Sequence, residues 1–132
     1  MKRNMDLIRD ILFYIEKNYI AGQGPIEIII DGFSNAEIYE HCQLAYQSGL
    51  IQELLDTSTL SGKSCMVNNL TNAGYDLLDK IREDTLWKKT KDTIKNKSLP
   101  LVVDTIKTIS SAFITAAAEG VANSIIKNVG QV

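Results

Sequence analysis

Few side chains in this 132-residue chain are suited to chemistry. It holds one histidine, His41, and two cysteines, Cys42 and Cys65. These three soft ligands fall one short of the four Cys/His ligands that a structural zinc takes. His41 and Cys42 are also consecutive, and neighbours on a helix diverge by about 100°. No metal site is expected. On a helix face shared with Ile38 and Ala45, His41 reads as a hydrogen-bonded structural residue rather than a general base. Two cysteines make no disulfide framework. The chain has no G-x-S-x-G nucleophile elbow. It has neither a G-x-x-x-x-G-K-[ST] nor a G-x-G-x-x-G phosphate loop. Asp76, Asp79, Glu83 and Asp84 cluster on one expected helix. Paired carboxylates can act as acid and base or hold a cation. Beside Lys80 and Arg82, at helical spacing, they read as a salt-bridged surface. No catalytic residue and no cofactor is expected, and the chain reads as a non-enzyme.

Binding chemistry remains. The formal net charge of −2 hides an asymmetry. Residues 1–84 hold seven basic and thirteen acidic side chains, a net of −6. Residues 85–132 hold seven basic and three acidic ones, a net of +4. The positive charge gathers in Lys88, Lys89, Lys91, Lys95 and Lys97, and an electrostatic partner meets that segment first. If duplex DNA is bound, the expected backbone contacts are Lys63, Arg82, Lys88, Lys89, Lys91 and Lys95, with Arg3 alongside. Gln43 and Gln47, on the outward side of the helix that follows Ser34, would be the base readers. The outward positions of that helix are Tyr39, Glu40, Gln43 and Gln47. Residues 35–48 contain no Lys or Arg and two Glu. Phosphate neutralisation supplies most nucleic-acid affinity, so groove insertion of this helix is disfavoured. The stronger reading of its surface is a solvated acidic face, or one that binds an unidentified protein.

The elements that would position these groups follow from pattern and punctuation. Met5, Ile8, Ile11, Leu12 and Ile15 form one apolar stripe on a helix from Asn4 to Asn18, with Asn4 as cap. Ile26 to Ile30 is β-branched and reads as a strand. Ser34 and Glu37 make a capping box for a helix ending at Gly49. Its core face is Ile38, His41, Cys42, Ala45 and Gly49. Leu50 to Thr57 and Ser64 to Leu70 read as a hairpin around the Ser58–Gly62 turn, with Met66 and Leu70 facing inward. Thr71 caps a helix carrying Leu77, Leu78 and Ile81, which runs on with a kink through Trp87 to about Lys95. Pro100 suits the first turn of a last helix, Leu101 to about Lys127.

That last helix is apolar along two stripes. One is Val102, Ile106, Ile109, Phe113 and Ala116. The other is Ile114, Ala118, Val121, Ile125 and Val129. A helix apolar on two sides needs two neighbours, so a homodimer through residues 101–129 is expected. The charge-free tract Thr108 to Ala118 falls well short of the ~20 residues of a membrane span. The charged N-terminus does not resemble a signal peptide. No membrane span is expected, and the expected location is the cytoplasm.

The order helix, strand, helix, hairpin, helix resembles that of winged-helix proteins. His41-x-x-Leu44 followed by Ser48-Gly49-Leu50-Ile51 resembles the end of their third helix. Leu70-Thr71-x-x-Gly74 resembles the exit from their wing. A closer resemblance is to an uncharacterised bacterial and phage domain-of-unknown-function family. It is carried by Met1-Lys2-Arg3-Asn4-Met5-Asp6-Leu7-Ile8-Arg9, by the His41–Ile51 run, and by Leu70-Thr71-x-x-Gly74-x-x-x-Leu78-Asp79-x-Ile81-Arg82-x-Asp84-Thr85-x-Trp87. The resemblance implies a winged-helix-like fold, a bacterial or phage setting and no particular activity. The expected fold class is therefore α+β and mostly helical. A winged-helix-like domain spans residues 1–97, and residues 98–132 form a C-terminal helix, a dimerisation or packing arm. One departure stands out. Only fifteen residues separate Asn18 from Ser34, leaving no room for the first helix of a helix-turn-helix.

Overall fold

The computed structural model describes residues 1–129, with side chains described through Ser124. The chain divides into two compact units, Met1–Asp79 and a second that begins at Lys80.

The first unit opens with α1 (Met5–Asn18), where the Asn4 side chain accepts from the Leu7 amide at 3.1 Å. The expected stripe of Met5, Ile8, Ile11, Leu12 and Ile15 is buried throughout, joined by Leu7. Each buried Leu or Ile contributes about 1.5–3 kcal/mol. After β1 (Ile26–Glu27), the chain goes directly into α2 (Asn35–Gln47) with no intervening helix. Ser34 accepts from the Glu37 amide at 3.2 Å, and its hydroxyl donates to the Glu37 carboxylate. α2 packs on α1. Its buried residues are Ile38, Tyr39, His41, Cys42 and Ala45.

Three strands, β1, β2 (Leu54–Asp56) and β3 (Cys65–Val67), form an antiparallel sheet in the order β1-β3-β2. Val67 faces both Ile26 and Leu54, and Cys65 faces Asp56. The strands are shorter than the sequence suggests, and the inward set is shifted. Cys65 and Val67 are buried, whereas Met66, expected inward, is half-exposed. Met66 alternates with them and pairs with Glu27 and Leu55, both exposed. The pairing continues in register beyond β3: the Asn68 amide donates to the Glu53 carbonyl at 3.0 Å, the Gln52 amide donates to the Asn69 carbonyl at 2.8 Å, and Leu70 bridges Ile51. The hairpin closes at Thr59 and Gly62, which exchange backbone bonds of 3.0 and 3.1 Å.

α2 ends in a left-handed turn. Gly49 has φ +77°, a conformation that costs glycine nothing. Counted on the core face from the sequence, Gly49 is instead exposed as the stop residue. The Gly49 amide donates to the Tyr46 carbonyl and the Leu50 amide to the Ala45 carbonyl, both at 3.0 Å. This is the paired bonding of a Schellman stop. The next contacts reach α3 (Asn72–Ile81). The Thr71 amide donates to the Leu50 carbonyl at 3.0 Å, and the Thr71 hydroxyl donates to the Gly49 carbonyl at 2.5 Å. The same hydroxyl caps α3 by accepting from the Gly74 amide at 3.0 Å. Gly74 lies against the Leu50 carbonyl, so closely that an added Cβ would overlap the oxygen.

In the second unit the long kinked helix expected from Thr71 to about Lys95 is interrupted. α3 stops at Ile81 and α4 (Asp84–Asn96) starts anew. Glu83 causes the break: its carboxylate accepts from the Thr85 and Leu86 amides at 3.0 and 3.1 Å, as an N-cap. The expected one-helix cluster of Asp76, Asp79, Glu83 and Asp84 is thereby split. α4 buries Trp87, Thr90 and Ile94 and packs along α5 (Val103–Val129). The break expected after Lys97 is the turn between these two helices, with Ser98 at φ +56°. Pro100 precedes α5 rather than entering its first turn, and the Thr105 hydroxyl donates to the Pro100 carbonyl at 2.5 Å. Along α5, Ile106 and Ser110 are buried and Ile109 and Phe113 half-buried, while residues 114–124 are exposed. Ile125 and Val129 of the second apolar stripe lie outside the side chains described. Among the described residues, no helix is long and apolar enough to cross a membrane.

The Gly74–Leu50 contact makes a direct prediction. Gly74→Ala gains up to about 1 kcal/mol of helix propensity but forces two backbones apart. The net loss of unfolding free energy is expected to be about 2 kcal/mol or more. Urea denaturation of the full chain measures it.

Candidate nucleic-acid interface

The basic residues singled out in the sequence fall into two groups. Lys88, Lys89, Lys91 and Lys95 share α4, and Arg82 lies just before it, all in the second unit. Lys63, Gln43 and Gln47 belong to the first unit, on the hairpin and α2. The two units differ in sign. Met1–Asp79 carries five basic and eleven acidic side chains, a net of −6. Residues from Lys80 onward carry nine and five, a net of +4.

α4 owes its cationic face to amphipathic spacing. Trp87, Thr90 and Ile94 fix its inner side. At about 100° per residue, the opposite side presents Lys88, Lys89, Asp92, Lys95 and Asn96. All five are exposed. Lys91 stands at the flank, half-buried, with its ammonium 5.2 Å from the Trp87 ring centroid. Lys89 lies 4.5 Å above the Phe113 ring of α5. Such contacts hold a lysine stem against the helix pair while its charge stays in water.

α2 presents a different surface. Tyr39, expected to face outward, is buried, only 7% exposed. Its hydroxyl donates to the Asp56 carboxylate on β2 at 3.0 Å, and Lys63 lies 5.3 Å from its ring centroid. α2 thus serves two neighbours, and a one-stripe reading of its sequence missed the second. Gln43 is half-buried and Gln47 exposed. Glu37 and Glu40 are both exposed. The would-be reading helix therefore keeps its acidic character, and Lys63 is partly engaged by Tyr39.

His41 takes a structural position. It is 2% exposed. Its Nδ1 donates to the Glu37 carbonyl at 2.8 Å, and its Nε2 accepts from the Asn4 amide at 2.9 Å. One nitrogen donates and the other accepts, which specifies the Nδ1–H tautomer. The ring links the cap of α1 to α2 and has no nitrogen left for catalysis or a metal. Among the described residues, no group of three or more His, Cys, Asp or Glu is placed to hold a metal ion.

Beside the hairpin, a polar cleft of about 440 Å³ is lined by residues that include Glu27, Asn35, Thr59, Ser61, Lys63 and Ser64. Near it, hydrogen bonds from the Ser58 hydroxyl and amide, and then from Tyr39, hold the Asp56 carboxyl below its ordinary value. The same contact, seen from its partner, pushes the Tyr39 hydroxyl upward, since ionising it would place two negative charges together.

The model of the family described as hypothetical protein (DUF2513) matches residues 2–100. A Haemophilus influenzae protein, described as uncharacterized, is 42% identical over 115 residues, covering 87% of this chain and 97% of the relative. No solved structure matches.

A carbon-detected NMR titration is expected to place the Asp56 midpoint below the usual aspartate value of about 3.9. A carboxyl depressed in the folded state adds stability above its unfolded value, and that stability is lost as pH falls through the folded one. Tyr39→Phe removes one donor, and is expected to move the Asp56 midpoint upward.

Proposed function

The chain belongs to the hypothetical-protein family DUF2513, and we propose that it is a non-enzymatic winged-helix regulatory protein of bacterial or phage origin that contacts duplex DNA. The element order of the first unit and its β1-β3-β2 sheet support the winged-helix reading. The observation that carries the binding reading is the row of exposed lysines on α4, in a unit of net charge +4. Lysines on one helix face engage phosphates without reading sequence. The contacts assigned to DNA are Lys88, Lys89, Lys91 and Lys95, with Arg82 and Lys63 subsidiary. Gln43 and Gln47 are the base-reading candidates, on a helix whose Glu37 and Glu40 repel phosphate.

Fluorescence anisotropy with a random 25-base-pair duplex, from low to physiological salt, tests this. Binding is expected at low salt, with affinity falling steeply as salt rises. Reversing Lys88, Lys89 and Lys95 to Glu is expected to weaken low-salt binding more than tenfold. Each phosphate contact removed lowers the log–log salt slope by about 0.9. No binding at low salt would overturn the reading.

The acidic exposed surface of α2 favours a second reading, in which the same fold docks a protein partner through Glu37 and Glu40. Reversing both charges would then abolish recovery of that partner while leaving DNA binding intact.

We also propose a homodimer through α5. Its support is the exposed run from Ile114 to Val121, where the alanines and Gly120 permit close helix approach. Light scattering on the full chain is expected to give the dimer mass, and Val121→Glu to give the monomer. A monomer for the unaltered chain at high concentration would refute it.

A further inference from the structure

We propose that Leu60, at the apex of the β2–β3 hairpin, is a wedge that inserts between stacked base pairs and kinks the duplex. The inference rests on the DNA reading and adds to it a source of site preference besides Gln43 and Gln47. Leu60 is 110% exposed, more than any other large apolar side chain among the described residues. It stands in a turn of only two residues. Thr59 and Gly62 exchange backbone bonds of 3.0 and 3.1 Å, leaving Leu60 and Ser61 between them. Gly, Pro, Asn, Asp and Ser dominate turns, each for a backbone reason. A leucine here answers no such need and is left wholly in water.

A wedge has to be held stiffly, and this hairpin is braced by its own hydroxyls. The Ser61 amide donates to Thr59 Oγ1 at 3.1 Å. The Thr57 and Ser64 hydroxyls bond each other across the strands at 2.7 Å, and the Ser64 hydroxyl donates to the Thr57 carbonyl at 2.9 Å. The Ser64 amide donates to the Ser58 hydroxyl at 3.1 Å, which in turn donates to the Ser64 carbonyl at 3.3 Å. These bonds fix the backbone of both strands directly below Leu60.

The charge around the tip suits a polyanion, although the rest of the first unit is acidic. Residues 57–64 hold one basic side chain, Lys63, and no acidic one. The Asp56 carboxylate that precedes them is engaged by the Tyr39 hydroxyl and the Ser58 amide. An apolar point beside a cation matches a base step, an apolar stack flanked by phosphates. A lone leucine is a poor membrane anchor, because lipid binding scales with buried apolar area. Insertion unstacks one step, and the bend it produces lets more protein surface meet the duplex. Pyrimidine–purine steps yield most easily. The wedge therefore selects sites by deformability rather than by hydrogen bonds to bases. Its contribution is not electrostatic, so it adds affinity without adding to the salt slope set by the lysines.

The test is anisotropy on the full chain with two 25-base-pair duplexes, one intact and one carrying a central T·T mismatch. Unstacking costs less at a mismatch, and the unaltered chain is expected to bind the mismatched duplex about tenfold more tightly. Leu60→Ser is expected to bind the two duplexes equally, with the salt slope of the unaltered chain, and Leu60→Met to keep the preference. A 2-aminopurine beside the mismatch is expected to brighten when the unaltered chain binds, and not when Leu60→Ser does. Equal affinity of the unaltered chain for the two duplexes overturns the wedge and leaves the DNA reading standing. A preference that survives Leu60→Ser does the same, as does Leu60-dependent binding to anionic vesicles without a preference between duplexes. No binding to either duplex at low salt overturns both. The comparison of duplexes on the unaltered chain decides the matter even if the serine variant fails to fold.

Discussion

A single backbone junction, where the end of α2 meets the start of α3, organises the first unit. Gly49 turns the chain left-handed, and that turn brings the carbonyls of Gly49 and Leu50 to face Thr71. Thr71 answers with its amide and its hydroxyl. Gly74 then fits against Leu50 because it has no side chain. Four residues thus terminate one helix, initiate the next and fix both ends of the intervening hairpin. The loop they close spans Leu50 to Leu70; inside it are the Ile51–Leu70 bridge, the β2–β3 pairing and the Thr59–Gly62 turn, and it is tied outward by the β1–β3 pairing and the Tyr39–Asp56 bond. With this junction in place, the hairpin and the α2 face stand in fixed relation. A second tie, from His41 to the Asn4 amide, sets α1 against α2.

This changes how the most distinctive residues are understood. His41, Gly49-Leu50-Ile51 and Leu70-Thr71-x-x-Gly74 carry the family resemblance, and a reader looking for an active site would begin with them. Each is consumed by architecture: His41 in two hydrogen bonds, Gly49 and Gly74 in backbone geometry, Thr71 in three contacts. What remains for function is surface. In the first unit that surface is acidic, and on α4 it is cationic. Charge of this kind selects partners and speeds encounter without specifying a reaction. The proposed binding role rests on this charge layout.

The architecture was legible where a local signal governs it. The capping residues Asn4, Ser34 and Thr71 and the α1 stripe all appear where their chemistry places them. The misreadings occur where a non-local or competing bond wins. Met66 shares its side of the sheet with Glu27 and Leu55, so the neighbouring strands decide which residues of β3 face inward. Glu83 looked like part of an acidic surface but caps a new helix, because its carboxylate can reach two free amides. Tyr39 sits off the main apolar stripe of α2, and only its long reach to Asp56, seventeen residues on, draws it inward. The cationic face of α4 was legible from composition alone, since the lysines are consecutive enough to share a helix.

The Gly49–Leu50 to Thr71–Gly74 junction is the structural keystone of the first unit, and native-state amide hydrogen exchange measures how firmly it holds. The Leu50, Thr71 and Gly74 amides are expected to exchange as slowly as those of Ile11 and Ile15 in α1, at the rate set by unfolding of the whole unit. Exchange of those three amides at the faster rate of the Thr59–Gly62 turn would contradict it.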